Sequence, residues 1–358
     1  MNTLRAEKPA NGGSCIAHLD GKVVFLRGAA PGELVEAEIT QSRSKLSNAK
    51  TVSVLEPSEH RRTPPCPIFG ECGGCDWLFV EPAYSRELKR QVVAELLSRM
   101  ANIQWDGLVE KADPDDLGWR TRMRYSRTPD GQLGLKKYHS HEVVAVPGGA
   151  CPLAAPDADV RIEGEDENPE PALKTVLGHE FLVDADGFWQ AHLAAPETLT
   201  EAVLEALDPQ PGEVAFDLYC GVGLFAAALS DRTSEVWGIE GNHLAASHAQ
   251  KSVPEAHIFA GDVAKQLRKM PEHADIVVLD PPRSGAGQEV IAAIVRTSPR
   301  KIAYVSCDPA SLARDLRWAS EMGYETTSIR AFDLFPNTHH VECVAVLEGS
   351  EAAPVPPK

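Results

Sequence analysis

The sequence predicts an α/β chain: a doubly wound parallel sheet in the C-terminal half, a small β-barrel at the N-terminus, and a cysteine-bearing segment between them. Three observations carry this. From Glu213 onward, apolar strand-like runs at 214–218, 235–239, 257–259, 276–279 and 301–306 alternate with helical segments. The first 57 residues hold short β-segments separated by glycine turns instead. Cys66, Cys72 and Cys75 then crowd a stretch of ten residues just past a proline-rich break.

In the N-terminal part, 21–26, 32–39 and 51–55 are the expected strands, and the second alternates acidic with apolar positions. Residues 57–67 form the proline-rich break. Leu88, Val92, Leu96, Leu97 and Met100 recur as on one face of a helix over 83–103. Residues 119–146 return to strand-like sequence around a Pro129-Asp130-Gly131 turn, and the acidic segment 156–171 reads as a mobile loop. Runs at 326–331 and 341–347 close the C-terminal sheet as a hairpin. The domain boundaries expected from this pattern are 1–57, 58–185 and 186–350, with the helix of 83–105 packing on the last domain.

The formal charge of −17 is unevenly spread. Between Pro156 and Asp186 ten acids stand against Arg161 and Lys174. Between Gly118 and His139 six Arg and Lys residues stand against Asp130 alone, so an acidic chain still carries a basic surface. Arg120, Arg122 and Arg124 alternate, which on a strand puts them on one face, and phosphate contacts are expected there. No apolar run approaches the ~18 residues of a membrane helix, and 1–13 lacks a signal-peptide apolar region, so a cytoplasmic protein is expected. Eight cysteines in a reducing compartment point to metal binding or catalysis rather than disulfides.

Asp217-Leu218-Tyr219-Cys220-Gly221-Val222-Gly223 follows a strand and enters a helix, where glycines let a ligand approach the backbone. Glu240, at the end of the next strand, is placed to accept from ribose hydroxyls. Gly221, Gly223 and Ala226 alone would equally fit a nicotinamide fingerprint. The acid before the glycines, Gly261-Asp262 and Asp280-Pro281-Pro282 favour S-adenosylmethionine.

Cys307 ends one predicted strand and Asp280 its neighbour, at the carboxyl edge where open α/β sheets bind ligands. If the last strand runs antiparallel, His339-His340-Val341-Glu342 begins at that same edge, facing Cys307. A thiolate opposite a carboxylate suits covalent addition to an electron-poor ring followed by proton removal. Cys66, Cys72 and Cys75, with Cys151 as a distant fourth, supply four thiolates for either zinc or a cubane iron–sulfur cluster.

With these residues the chain resembles the uracil-5 RNA methyltransferase family, which makes 5-methyluridine in ribosomal and transfer RNA. Ser306-Cys307-Asp308-Pro309 and Phe335 to Glu342 match its nucleophile and base motifs, and Phe188-Trp189-Gln190 its cofactor-side glutamine motif. The resemblance spans most of the chain. It implies an N-terminal TRAM domain of OB-like fold, a small central α+β domain, and a class I S-adenosylmethionine-dependent methyltransferase domain of Rossmann-like fold. By it Cys307 is nucleophile, Glu342 general base, and Gln190, Tyr219, Gly221, Gly223, Glu240, Asp262 and Asp280 cofactor contacts. It also makes Cys66, Cys72, Cys75 and Cys151 ligands of the [4Fe-4S] cluster of the 23S ribosomal RNA branch, zinc being the alternative. A monomer acting on ribosomal or transfer RNA follows. Two other classes fit parts of the sequence: an amino-group methyltransferase built on Asp280-Pro281-Pro282, and a noncatalytic RNA-binding or redox-sensing protein. Leu224 and Ala191-His192 depart from the family motifs.

Overall fold

Alternating apolar and polar residues in the first 56 positions build one six-stranded sheet in the computed structural model, which describes residues 1–165 and 170–349. Its strands are β1 (Asn2–Arg5), β2 (Lys8–Pro9), β3 (Cys15–Leu19), β4 (Lys22–Arg27), β5 (Leu34–Ser42) and β6 (Leu46–Glu56), in the order β1-β5-β6-β4-β3-β2. Leu4, Cys15, Ala17, Val24, Leu26, Val35, Ala37 and Ala49 fill its core. The two-residue β3–β4 turn puts Asp20 at φ 49° and Gly21 at φ 77°, the paired positive angles that match the twist of a tight hairpin.

The chain divides into two units. The first comprises the described residues of 1–95, 108–167 and 333–341, so this sheet and the cysteine-bearing segment share one unit. The second comprises those of 96–107, 168–332 and 342–358.

Beyond the sheet come α1 (Pro82–Ala101), β7 (Val109–Lys111), β8 (Arg120–Arg127), β9 (Leu133–Lys136), β10 (Val143–Ala145) and β11 (Ala154–Ile162). The last four of these strands form a sheet in the order β10-β9-β8-β11. Here the structure corrects the reading of 156–171 as a mobile loop. Residues 154–162 are a strand running parallel to β8, with Asp159 paired to Arg122 and Arg161 to Arg124; residues 166–169 lie outside the described ones. The reason is electrostatic as well as backbone pairing. Asp159 approaches Arg122 at 3.6 Å, Glu163 accepts from Lys136 and from Ser126, and Glu165 engages Arg127. An acidic segment that would repel itself in solution is ordered by a basic neighbour. Within the same unit Lys89 is fully buried and donates to the Asp333 carboxylate and, at 3.0 Å, to the carbonyl of Phe335.

The second unit opens with a hairpin, β12 (Ala172–Val176) and β13 (His179–Val183), followed by α2 (Ala195–Leu207). Then β14 (Val214–Leu218), α3 (Leu224–Ser230), β15 (Glu235–Glu240), α4 (His243–Ser252), β16 (His257–Ala260), α5 (Val263–Gln266), β17 (Ile276–Leu279), α6 (Gln288–Arg296), β18 (Lys301–Ser306) and α7 (Pro309–Glu321) alternate. β19 (Tyr324–Asp333) and β20 (Glu342–Gly349) finish the sheet, whose strands in this unit run β16-β15-β14-β17-β18-β20-β19. β14 to β18 are parallel, β20 is antiparallel to both neighbours, and helices link successive parallel strands, as a doubly wound sheet requires. The order reverses beside β14, the switch point where such sheets open a ligand crevice. Among the described residues no helix is long and apolar enough to cross a membrane.

Candidate active site

Cys307 owes its place to local sequence. β18 is buried through Ser306; Asp308 then caps α7, its carboxylate accepting from the Ser311 amide at 2.7 Å, with Pro309 opening the helix. The Ser306 hydroxyl accepts from the Asp308 amide at 3.3 Å and donates to the Asp308 carbonyl, fixing the turn that contains the thiol. Cys307 is thereby held, half-buried, where strand becomes helix.

Antiparallel pairing brings the second group. Ser306 pairs with Cys343 in the β18–β20 ladder, so Glu342 starts β20 at the edge where β18 ends. Glu342 is 3% exposed, and its Oε1 atom is buried with no hydrogen-bond partner. Burial, and then the nearby Asp280, hold its carboxyl well above the usual range, while Arg283 opposes the shift. Burial together with Glu342 and Asp280 pushes the Cys307 thiol up to about 12, again against Arg283. Both groups therefore resist ionisation in the free protein, and Arg283 is the cation that favours their charged forms. Gln190, 6% exposed, donates to the Asp280 carboxylate at 3.3 Å, which joins β17's end to the segment before α2.

The expected cofactor residues gather around β14. Tyr219, at φ 64°, and Gly221, at φ 57°, turn the chain, and Gly223, at φ 96°, starts α3 where a Cβ would meet Val253 at 3.1 Å. Asp217 ties the loop down: its Oδ2 accepts from the Ala226 amide at 2.8 Å, while Oδ1 is buried without a partner. Glu240 braces the loop from β15, accepting from the Gly221 amide at 2.9 Å and the Asn242 amide at 2.6 Å. Asp262 caps α5 through the Lys265 amide and lies near Tyr219. The structure thus brings Cys307, Glu342, Asp280 and Gln190 together, and Asp217, Tyr219, Gly221 and Glu240 beside one another.

Buried acids make this unit's stability depend on pH. Burial pushes Asp217 up to about 8 and Asp280 up to about 7, and Glu342 rises too. A carboxyl whose folded pKa exceeds its unfolded one stabilises the fold at low pH and loses that contribution as pH rises through the folded value. The ligand-free protein is therefore expected to melt higher at pH 5 than at pH 8, at about 2–4 °C per kcal/mol for a domain of this size. Asp217→Asn should flatten the slope. Scanning fluorimetry across this range checks it, and a melting point that rises with pH would refute it. A cationic ligand beside these carboxyls favours their ionised forms, so its binding should tighten as pH rises through 7 to 8.

The four expected metal-ligating cysteines lie in the other unit. Cys66, Cys72, Cys75 and Cys151 line one cavity of about 200 Å³ with Arg120, Arg124 and Lys136. The Gly74 amide donates to the Cys72 sulfur at 3.3 Å, and the Cys151 amide donates to the Tyr125 hydroxyl at 2.8 Å. Pairing of Cys72 with Lys137, and of the Tyr138 amide with the Glu71 carbonyl, fastens the cysteine loop against the end of β9. Among the described residues no three Cys, His, Asp or Glu side chains are arranged to hold one metal ion. Of the arginines expected to meet phosphate, Arg122 faces Asp159, and Arg120 and Arg124 border the cysteine cavity.

Comparison with known proteins bears on the fold and the family. Residues 264–350 match the tRNA (uracil-5-)-methyltransferase family model, 4–52 the TRAM domain, and 195–304 the methyltransferase small domain. An uncharacterized RNA methyltransferase of Streptomyces avermitilis is 38% identical over a 416-residue alignment covering 95% of this chain and 96% of that protein. The 23S rRNA (uracil(1939)-C(5))-methyltransferase RlmD of Shewanella sp. is 29% identical, with 94% and 93% covered. The crystal structure of Pyrococcus abyssi tRNA (uracil-54, C5)-methyltransferase with S-adenosyl-L-homocysteine superposes with a TM-score of 0.73 at 20% identity, covering 96% of this chain and all of that one, and shares the fold.

Proposed function

Since the chain belongs to the RNA uracil-5 methyltransferase family, an S-adenosylmethionine-dependent group, we propose that it methylates carbon 5 of one uridine in 23S ribosomal RNA through a covalent bond from Cys307 to carbon 6. The observation that carries the reading is the pairing of Ser306 with Cys343, which sets Glu342 against Cys307 at one sheet edge. The near-full-length match to a 23S enzyme favours ribosomal RNA as the first substrate to test.

Carbon 5 of uracil is a weak nucleophile while the 5,6 double bond is intact. The Cys307 thiolate adds to carbon 6, and the displaced electron pair forms an enolate with density at carbon 5. S-adenosylmethionine, when bound, supplies an electrophilic methyl group and leaves as S-adenosylhomocysteine. Glu342, as carboxylate, takes the proton from carbon 5. The electrons of that C–H bond reform the double bond as the sulfur–carbon 6 bond breaks, returning Cys307 as thiolate. Gln190, Tyr219, Gly221, Gly223, Glu240, Asp262 and Asp280 are the residues assigned to hold the cofactor. A stacked uridine cannot reach a half-buried thiol, so the base must be flipped out or offered by a single-stranded loop. Mass mapping of 5-methyluridine in 23S and transfer RNA, from cells lacking the protein and complemented with wild-type or Cys307→Ala protein, tests the assignment. Loss at one 23S uridine, restored only by wild type, supports it; loss in transfer RNA alone moves the substrate.

We also assign Cys66, Cys72, Cys75 and Cys151 to a [4Fe-4S] cluster, which would pin together the segments bearing these thiolates. The donor set suits it: thiolates in a cavity bordered by three cations, with an amide aimed at the Cys72 sulfur. Zinc held by the same four thiolates is the alternative. Anaerobically purified protein is expected to be brown, with iron and sulfide in equal amounts, and Cys151→Ser to lose both. Colourless protein carrying one zinc would overturn the assignment.

A further inference from the structure

A single buried carboxylate on α7 fastens the loop that follows Asp280. Asp315 is fully buried, and its Oδ2 accepts from the Ala286 amide at 2.8 Å, the Gly287 amide at 3.2 Å and the Tyr304 hydroxyl at 2.7 Å. Tyr304, itself fully buried, also accepts from the Ala286 amide at 3.0 Å. The other oxygen of Asp315 accepts from the Arg314 guanidinium at 2.9 and 2.8 Å, and that guanidinium reaches on to the Ser284 carbonyl at 2.7 Å. Gly285, at φ 80°, lies so close that a Cβ there would stand 2.5 Å from Arg314 Nη2 and 2.6 Å from Asp315 Oδ2. The loop is thus pressed onto α7 at four successive residues, Ser284 to Gly287.

What the loop carries gives this anchor a consequence. It begins after Asp280 and bears Arg283, the cation that opposes burial at both Cys307 and Glu342. The other charges acting on Cys307 are the carboxylates of Glu342, Asp280 and Asp308. Asp315 also acts on Tyr219 of the cofactor loop. Against burial and these acidic neighbours, formation of the Cys307 thiolate depends on where one exposed guanidinium stands.

We propose that Asp315 is a positioning residue: with Tyr304 it holds the loop of residues 281–287 so that Arg283 stays beside Cys307 and Glu342. This rests on the reading of Cys307 as nucleophile. The test is the rate at which iodoacetamide alkylates Cys307 at neutral pH, followed by mass spectrometry of its peptide in the full-length protein. Arg283→Gln and Asp315→Asn are each expected to slow alkylation about threefold, the scale of one screened charge beside a thiol. The double variant should be no slower than Arg283→Gln, because the two act in series. Tyr304→Phe and Gly285→Ala loosen the same loop, so they carry the test if Asp315→Asn does not fold. A merely structural anchor would lower the melting point and leave Cys307 alkylation at the wild-type rate, which would overturn the proposal. So would further slowing by Asp315→Asn in the Arg283→Gln background. Alkylation needs no methyl transfer, so methylation surviving in Cys307→Ser would defeat the nucleophile reading separately.

Discussion

Glu342→Gln protein, mixed with its RNA and S-adenosylmethionine, is expected to accumulate a covalent, already methylated RNA adduct rather than to fall silent. The amide keeps the shape of the side chain and its seat at the start of β20, where Cys343 pairs with Ser306. It cannot take the carbon-5 proton. Addition and methyl transfer still proceed, because neither requires that base, but elimination of Cys307 stalls. Multiple turnover should fall by about 10²–10⁴, the usual contribution of a positioned general base. A denaturing gel should show protein-linked RNA in the variant and little in the wild type. If turnover falls without any adduct, Glu342 acts before bond formation, and its role as base is wrong.

Cys307→Ser should abolish turnover, by at least about 10⁴-fold, since a hydroxyl beside Glu342 and Asp280 has no accessible anion with which to attack carbon 6. RNA carrying 5-fluorouridine at the target gives the sharper result. Fluorine leaves no proton on carbon 5, so wild-type enzyme should be trapped after methyl transfer, with the bond to the Cys307 peptide visible by mass spectrometry. The serine variant should form no such bond. Methylation retained in Cys307→Ser would instead favour an exocyclic amine as acceptor, worked by Asp280-Pro281-Pro282 with Cys307 structural.

The proposed catalytic pair, Cys307 and Glu342, can be located from sequence because each member sits at an edge that sequence marks. Buried parallel strands read as unbroken apolar runs, so the ends of β17 and β18, and thus Asp280 and Cys307, are marked by the residues where the runs stop. One assumption about direction, that the last strand is antiparallel, then supplied Glu342. Contacts across long separations left no such mark. The acidic segment looked like a loop because its charge hides the strand pattern, and its pairing with β8 becomes visible only when the two are side by side. Lys89 and Asp333, 244 residues apart, follow the same rule, as does the 2.6 Å contact of His339 with Asp76 beside Cys75. Asp315 did leave a trace. It lies on the face of α7 that buries Leu312, Leu316 and Ala319, and a carboxylate on an apolar face needs partners to satisfy.

The carboxylates of β11 and the turn after it change what the basic strand can offer to RNA. Where cations are bare, a bound phosphate expels mobile counterions, and affinity falls steeply as salt is added. Around β8 and β9 much of that neutralisation is built in: Asp159, Glu163 and Glu165 already stand against Arg122, Lys136 and Arg127. A phosphate docking there would displace a tethered carboxylate rather than a free ion. Little ion release follows, so the binding isotherm at this face should shift only weakly between low and physiological ionic strength. Neutral substitutions of Glu163 and Glu165 should then raise nonspecific RNA affinity and steepen its salt dependence together, the mark of an internal counterion set that tempers attraction to the wrong RNA.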